Sequence, residues 1–414
     1  RKDSLADRVV RGDILDRNGK TLARTVVSED GSETREYPYG NMFAHTVGYS
    51  DHGKSGLESV ENFELLTSNA FFLEKLKNEF QDKKNRGDSV VTTLDVDLQQ
   101  TAYQAMGDAK GAVVVMEPST GKILVMLSKP DFDPNRLSED WEYLNTDVNS
   151  ALLNRATQGQ YAPGSTFKII TALEYLRENL GAEAYSYDCA GTTIHCFGGH
   201  VHGQVSFADS IAYSCNTSFC NIGLMLDVGK FKKTSKDLLF DSKLPSVLPY
   251  SKSKFMLDTG SSSADKMMTA MGQGKTQVSP YHMALVTCAV ANGGILMKPY
   301  LVDSITNYTG QEVDKNLPSE YKTLMTAAEA LQLKQYMTGV VDYGTATVLS
   351  GQSYTAAGKT GTAEYSSDKE KDHSWFIGMT NVDNPELVIS VIIESSDGEG
   401  KAVNVAKQVF DAYY

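Results

Sequence analysis

The chain of 414 residues contains no run of eighteen or more apolar residues, so nothing within it is expected to cross a bilayer as a helix. It shows no signal-peptide pattern, and its first residue is Arg1 rather than Met, which sets the expectation of a trimmed N-terminus. Positive charge is in short supply. Against 52 Asp and Glu stand 39 Lys and Arg, a formal net charge of −13, which argues against nucleic acid or an anionic membrane surface as the main partner. Only five cysteines occur, an odd count in a large chain and not the framework of a small disulfide-rich fold. What is present is ordinary globular material. Hydrophobic residues make up 41% and charged residues 22%, enough for a large core, and the length suits two or three domains.

Texture divides the chain near residue 88. Residues 1–88 are polar, with Gly-rich turns at Arg11-Gly12-Asp13, Asn18-Gly19 and Gly53 to Gly56, and the charged stretch Lys83 to Asp88 closes them as a boundary. Phe72, Leu73, Leu76 and Phe80 recur at helical spacing, which predicts an amphipathic helix over Asn69 to Phe80. Residues 89–414 mix helical and strand periods. Val90 to Leu94 reads as a strand and Asp97 to Met106 as a helix. Ala112 to Met116 and Lys122 to Leu127 flank Pro118-Ser119-Thr120-Gly121, the chemistry of a hairpin turn. Ala151 to Leu176 reads as helical. Trp375 to Met379 and Leu387 to Ile393 flank Asn384-Pro385 as a second hairpin, and Val403 to Tyr413 closes the chain as an amphipathic helix. Helices packed on an antiparallel sheet, an α+β architecture, fit this order best.

Three short motifs follow one another: Ser165-Thr166-Phe167-Lys168, Ser214-Cys215-Asn216 and Lys359-Thr360-Gly361-Thr362. Each is common by chance; the ordered set is far more specific. In the first, Pro163-Gly164 breaks the preceding structure, and Phe167, Ile170, Leu173 and Leu176 mark a buried helical stripe. Ser165 is therefore expected near a helix N-terminus with Lys168 one turn later on the same face. A serine hydroxyl is a weak nucleophile until a neighbouring base takes its proton, and a desolvated lysine can have its pKa lowered enough to serve. Ser214 could relay a proton, and Asn216 could hold Lys168 or a substrate amide. The third motif lies in a strand expected over Tyr354 to Glu364, where Gly358 and Gly361 permit close approach of a substrate backbone. Lys359, Thr360 and Thr362 offer a cation and hydroxyls to a carboxylate, and the N–H groups of Thr362 and Ser165 could form an oxyanion hole. Taken singly, the plainer readings are a solvated Ser/Lys helix, a helix-capping serine, and an edge strand with an exposed lysine.

A separate cluster precedes the second motif. Cys189, Cys196, His200 and His202, with Asp209 in reserve, could complete a tetrahedral zinc site. The alternatives are a Cys189–Cys196 disulfide or two unlinked buried thiols. Cys215, Cys220 and Cys288 read as small core residues.

The motif set matches the one shared by penicillin-binding proteins and class A β-lactamases. Beyond it, Arg11 to Gly19, Tyr37-Pro38, His45, Gly48-Tyr49 and Gly56-Leu57-Glu58 look like the N-terminal part of class B penicillin-binding proteins. Gly272-Gln273-Gly274, Ser279-Pro280, Ala291 to Gly294 and Trp375 to Gly378 look like segments of their transpeptidase domain. The chain resembles that family over nearly its whole length. The resemblance implies a penicillin-binding/β-lactamase-like transpeptidase domain over 89–414, an antiparallel sheet with helices on both sides. A small α/β pedestal or dimerisation-like module over 1–88 would precede it. It implies an enzyme on the extracytoplasmic face of the plasma membrane, held by an anchor upstream of Arg1, which cross-links peptidoglycan stem peptides. Ser165, Lys168, Ser214, Asn216 and Lys359 would be catalytic; Thr360, Gly361 and Thr362 would bind substrate. β-Lactams would acylate Ser165, no cofactor would be required, and a membrane-embedded glycosyltransferase would be a partner. Some clostridial-type class B sequences look similar around the second motif, with two cysteines ahead of a His-Gly, which favours His202 over His200 as a ligand. Such a zinc would brace the Ser214 loop rather than do chemistry.

Two rivals share the motif set. A β-lactamase needs a base for the deacylating water, and Glu174 lies on the nucleophile's helix without a matching catalytic loop. A β-lactam sensor would be joined to transmembrane signalling elements. D,D-carboxypeptidase activity differs only in water replacing the amine acceptor.

Overall fold

The computed structural model describes residues 9–191, 196, 199–363, 372–396 and 401–414. Glu364, at the end of the expected third-motif strand, lies outside them. In chain order the strands of the two main sheets are β1 (Ile14–Leu15), β2 (Thr21–Val27), β3 (Glu33–Glu36), β4 (Ser89–Thr92), β5 (Gly111–Met116), β6 (Ile123–Lys129), β7 (Val302–Thr306), β8 (Glu312–Lys315), β9 (Ala356–Ala363), β10 (Asp372–Thr380) and β11 (Leu387–Ser396). Around them pack α1 (Phe72–Phe80), α2 (Val96–Met106), α3 (Lys168–Glu178), α4 (Phe207–Ala212), α5 (Asn216–Met225), α6 (Pro280–Ala291), α7 (Ala327–Asp342) and α8 (Lys401–Tyr413).

Both expected hairpins form and then pair with each other. The β10–β11 hairpin meets the β5–β6 hairpin through β11 and β5, with Val391 opposite Val113, and β9 adds to β10. The result is a five-stranded antiparallel sheet in the order β9-β10-β11-β5-β6. Every residue of β5 and β6 is buried, which explains why these strands read as continuous apolar runs rather than alternating ones. Helices α8 and α2 cover one face and α6 the other. All twelve residues of α6 are buried, as suits a helix apolar on every side.

The smaller sheet runs β8-β7-β4-β1-β2-β3. Strands β1 to β3 precede residue 88, whereas β4, β7 and β8 follow it, so the sheet spans the expected boundary. Its core is tied by one buried carboxylate. Glu58 receives Arg11 Nε at 3.0 Å, Arg35 Nε at 2.8 Å and Tyr37 Oη at 2.7 Å. Three segments that look family-like in sequence thus converge on one ion cluster.

The stretch Ala151 to Leu176 is not one helix. Arg155–Gln158 makes a single turn, Tyr161 pairs with Val278, and a 3₁₀ turn over Gly164–Phe167 leads into α3. The cause is local: Gly159 and Pro163-Gly164 punctuate the run. Among the described residues no helix is long and apolar enough to cross a membrane.

Candidate active site

Gly164, with φ +57°, turns the chain so that its N–H donates to Gly272 O at 3.0 Å. Thr166 Oγ1 donates to Pro163 O at 2.6 Å, and the turn passes into α3 with Ser165 at its head. Phe167, Ile170 and Leu173 are buried, as the apolar stripe predicts. Lys168 follows one turn later and is itself wholly buried. Its ammonium donates to Ser214 O and Ser214 Oγ, each at 2.9 Å, and to Asn216 Oδ1 at 2.7 Å. Ser214 holds φ +53°, a left-handed conformation that few non-glycine residues adopt, and in it the carbonyl and the hydroxyl both reach Lys168. Asn216 then opens α5.

The third motif lies on β9, the edge strand. Lys359 is not exposed there: it is fully buried, and its Nζ donates to Thr360 O at 2.8 Å. Gly361 lies directly against the turn that carries Ser165. A Cβ at that position would come within 3.1 Å of Ser165 N and 3.0 Å of Thr166 N, so the strand and the helix head approach because no side chain intervenes. A Cβ on Gly164 would come within 2.5 Å of Thr362 O. The backbones of Ser165 and Thr362 therefore adjoin, as an oxyanion hole requires. Thr362 Oγ1 is buried without a hydrogen-bond partner, a hydroxyl left open beside the Ser165 turn. The three motifs thus meet at one locus.

Two residues that brace this locus carried no functional reading in the sequence. Gln273 Nε2 donates to Thr362 O at 2.7 Å, tying the Gly272-Gln273-Gly274 turn to β9. Thr345 Oγ1 is 2.5 Å from Thr360 Oγ1, and its N–H donates to Ala212 O, joining β9 to the helix before Ser214. A Gly-Gln-Gly turn was visible as a signal; an isolated threonine was not. Glu174 is drawn away from the chemistry. Its Oε1 accepts from Thr234 Oγ1 at 3.2 Å, and burial, then Glu178, raises its pKa to about 7.

The chain also matches known proteins. The penicillin binding protein transpeptidase domain matches residues 111–414, and the penicillin binding protein A dimerisation domain matches residues 11–90. The chain belongs to the penicillin-binding protein transpeptidase family. The peptidoglycan D,D-transpeptidase PbpA of Mycolicibacterium smegmatis is 32% identical, over 93% of this chain and 84% of that protein. The D,D-transpeptidase domain of a peptidoglycan glycosyltransferase from Eggerthella lenta superposes with a TM-score of 0.88 at 31% identity, covering 98% of each chain. Penicillin-binding protein A from M. tuberculosis, as its imipenem acyl-enzyme, gives 0.85 at 28% identity, covering 98% of this chain and 99% of that one.

Beside the site, this penicillin-binding protein gathers Cys189, Cys196, His202 and Cys215, with all four ligand atoms within 4.8 Å of one another. Cys189 Sγ is 3.6 Å from Cys196 Sγ and 3.6 Å from His202 Nδ1, and Cys196 Sγ is 3.7 Å from Cys215 Sγ. The thiols are unlinked, so the disulfide alternative does not apply. His200 is exposed and outside the cluster. Asp209 is also outside it, because its carboxylate accepts from Ser206 N in the capping box of α4. Cys215 is not the inert core residue expected. Ser214 and Asn216 face Lys168, and the residue between them turns its thiol to the other side.

Proposed function

We propose that Ser165 is the nucleophile of a peptidoglycan D,D-transpeptidase, served by Lys168, Ser214, Asn216 and Lys359. The activity is that of the family: a serine acyl-transferase that cross-links stem peptides, is acylated by β-lactams and needs no cofactor for its chemistry. The observation that carries the residue assignment is the buried Lys168 ammonium, hydrogen-bonded to Ser214 Oγ one helical turn from Ser165. The neutral amine of Lys168 is the form able to take the Ser165 proton. Ser165 Oγ attacks the penultimate D-Ala carbonyl carbon, and the N–H groups of Ser165 and Thr362 hold the oxyanion. The proton passes through Ser214 to the departing nitrogen, terminal D-Ala leaves, and an ester remains on Ser165. The amine of a second stem then attacks that ester and returns a proton to Ser165, giving the cross-link. With its Oδ1 engaged by Lys168, Asn216 retains its amide NH₂ for a substrate carbonyl. Lys359, Thr360 and Thr362 take the terminal carboxylate, and Gly361 leaves room for the peptide backbone.

Residues 1–88 form the pedestal module and 89–414 the transpeptidase domain, with β4, β7 and β8 completing the pedestal's sheet. The same reading includes an N-terminal anchor, a position on the extracytoplasmic face of the plasma membrane, and a membrane-embedded glycosyltransferase partner. Cys189, Cys196, His202 and Cys215 hold a structural zinc. Bonds of about 2.3 Å to sulfur and 2.0 Å to nitrogen would need S···S edges of about 3.8 Å and S···N edges of about 3.5 Å; Cys189–Cys196, Cys196–Cys215 and Cys189–His202 are 3.6, 3.7 and 3.6 Å apart, and the remaining pairs lie within 4.8 Å. The ion would brace the Ser214 loop through Cys215 and supply no chemistry of its own.

The test is a stem pentapeptide ending in D-Ala-D-Ala, supplied with an amine acceptor. Wild type releases D-Ala and forms the new amide, and Ser165→Ala does neither. Release of D-Ala with hydrolysis alone would make the chain a carboxypeptidase.

A further inference from the structure

Helix α1 buries none of its residues. At about 100° per residue, Phe72, Leu73, Leu76 and Phe80 fall within one arc of about 100°. They are 76%, 76%, 47% and 93% exposed. The helix is fixed to the protein from elsewhere. Phe71, at its N-cap, packs edge-on against Tyr308, and Asn78 Nδ2 donates to Asn85 Oδ1 at 3.1 Å. The apolar arc therefore points outward from a helix already held in place. Lys77 borders the arc on one side, and Lys75 lies beyond Glu79 on the other. Over residues 72–86 the cations Lys75, Lys77, Lys83, Lys84 and Arg86 outnumber Glu74, Glu79 and Asp82 five to three, within a chain of net charge −13. Lys84 is paired with Glu33 at 3.1 Å; with that pair set aside, four cations still stand against three anions, opposite in sign to the whole.

Position adds a third argument. Val9–Val10 runs parallel to Asn85–Arg86, the short strand that follows α1. Val9 therefore stands at the edge at which α1 lies.

We propose that α1 docks on an anionic bilayer surface, with Phe72, Leu73, Leu76 and Phe80 entering the headgroup boundary and the flanking lysines meeting lipid phosphates. A large apolar arc with lysines at its margins suits an interfacial helix, whose lysine stems lie along the apolar layer while the ammonium groups reach the headgroups. The contact would complement the upstream anchor of the proposed function by fixing the tilt of the pedestal on the membrane. It does not depend on the transpeptidase reaction.

The experiment is co-sedimentation of this chain with vesicles of phosphatidylcholine alone and with 3:7 phosphatidylglycerol:phosphatidylcholine, beside Leu73→Ser/Phe80→Ser and Lys75→Glu/Lys77→Glu. Benzylpenicillin acylation of each protein checks folding and separates failure of this surface from failure of the enzyme reading. The expected result is binding to the anionic vesicles that falls about tenfold in each variant and with added salt, with acylation unchanged. No binding, equal binding by the variants, or equal binding to neutral vesicles would overturn the proposal. Sedimentation as a dimer that the serine variant abolishes would overturn it too, by assigning the face to a second copy of the chain.

Discussion

The wholly buried Lys168 ammonium lies 2.9 Å from the Ser214 hydroxyl oxygen. This pairing joins the first two motifs into one proton-handling unit. Lys168→Met keeps the length of the side chain and removes the amine. It should leave the fold intact and slow β-lactam acylation by roughly a hundredfold or more, as stopped-flow measurements would show. Ser214→Ala should act in the same direction with a smaller effect. Acylation of Lys168→Met at the wild-type rate would remove Lys168 from the mechanism.

Gln273 reaches Thr362 O from outside the motifs. Gln273→Leu should slow acylation by roughly tenfold, the worth of about one hydrogen bond, with little change in melting temperature. Gly272→Ala should behave differently. Its Cβ would come within 1.7 Å of Gly164 O at φ +88°, so the loss should be of stability as well as rate, by about 2 kcal/mol or more. Thermal melts beside acylation rates distinguish the two.

The sulfur cluster predicts a metal-dependent stability. Purified under reducing conditions, the chain should carry about one zinc per molecule by elemental analysis. A strong chelator should remove it and lower the melting temperature by several degrees, and restoring zinc should reverse the change. Cys215→Ser should reduce zinc content and mimic the chelated protein. A zinc-free protein that melts at the same temperature with and without the metal would show four thiol and imidazole groups packed for another reason.

Buried groups shape the acid response, among them His282, Glu58 and His45, whose pKa burial also lowers to about 4. His282 accepts from Ser253 through Nδ1 and donates to Leu238 O through Nε2, and burial lowers its pKa to about 4. Its folded pKa lies below the unfolded value near 6.5, so protonation favours the unfolded chain. The stability from His282 is present above about pH 6.5 and is lost as pH falls toward 4, by about 2 kcal/mol between pH 7.5 and 5. Glu58 acts lower on the scale. Burial alone would raise its pKa, but Arg35 and Arg11 hold it below the usual carboxylate value. Its contribution persists above about pH 4 and disappears as pH falls through the folded value. Denaturant melts at pH 7.5, 5 and 3.5 should show both losses, and His282→Gln should reduce the first while the share from His45 remains.

The sequence made some parts of this arrangement plain and hid others for physical reasons. The hairpins of the large sheet were legible because their turns carry Pro, Gly and Asn between apolar runs. Their pairing across most of the chain was not, since register between distant strands leaves no local trace. The 151–176 segment misled because short turns and one helix share an apolar periodicity. Lys359 shows a limit of another kind: a lysine in a Gly-containing edge strand reads as solvated, yet tertiary packing buries it. Cys215 was read as filler because its neighbours carried the motif, and alternation turned its thiol toward Cys196. The apolar stripe of α1 predicted the helix correctly but carried no sign that its face would stay uncovered.

The central claim is that Ser165 forms a long-lived acyl-enzyme, and intact-mass spectrometry after brief exposure to benzylpenicillin tests it most directly. Wild type should gain a single adduct that persists for hours, and Ser165→Ala should gain none. An adduct on the alanine variant would contradict the nucleophile. Rapid loss of the wild-type adduct with continuing drug consumption would contradict the transpeptidase and make the chain a β-lactamase.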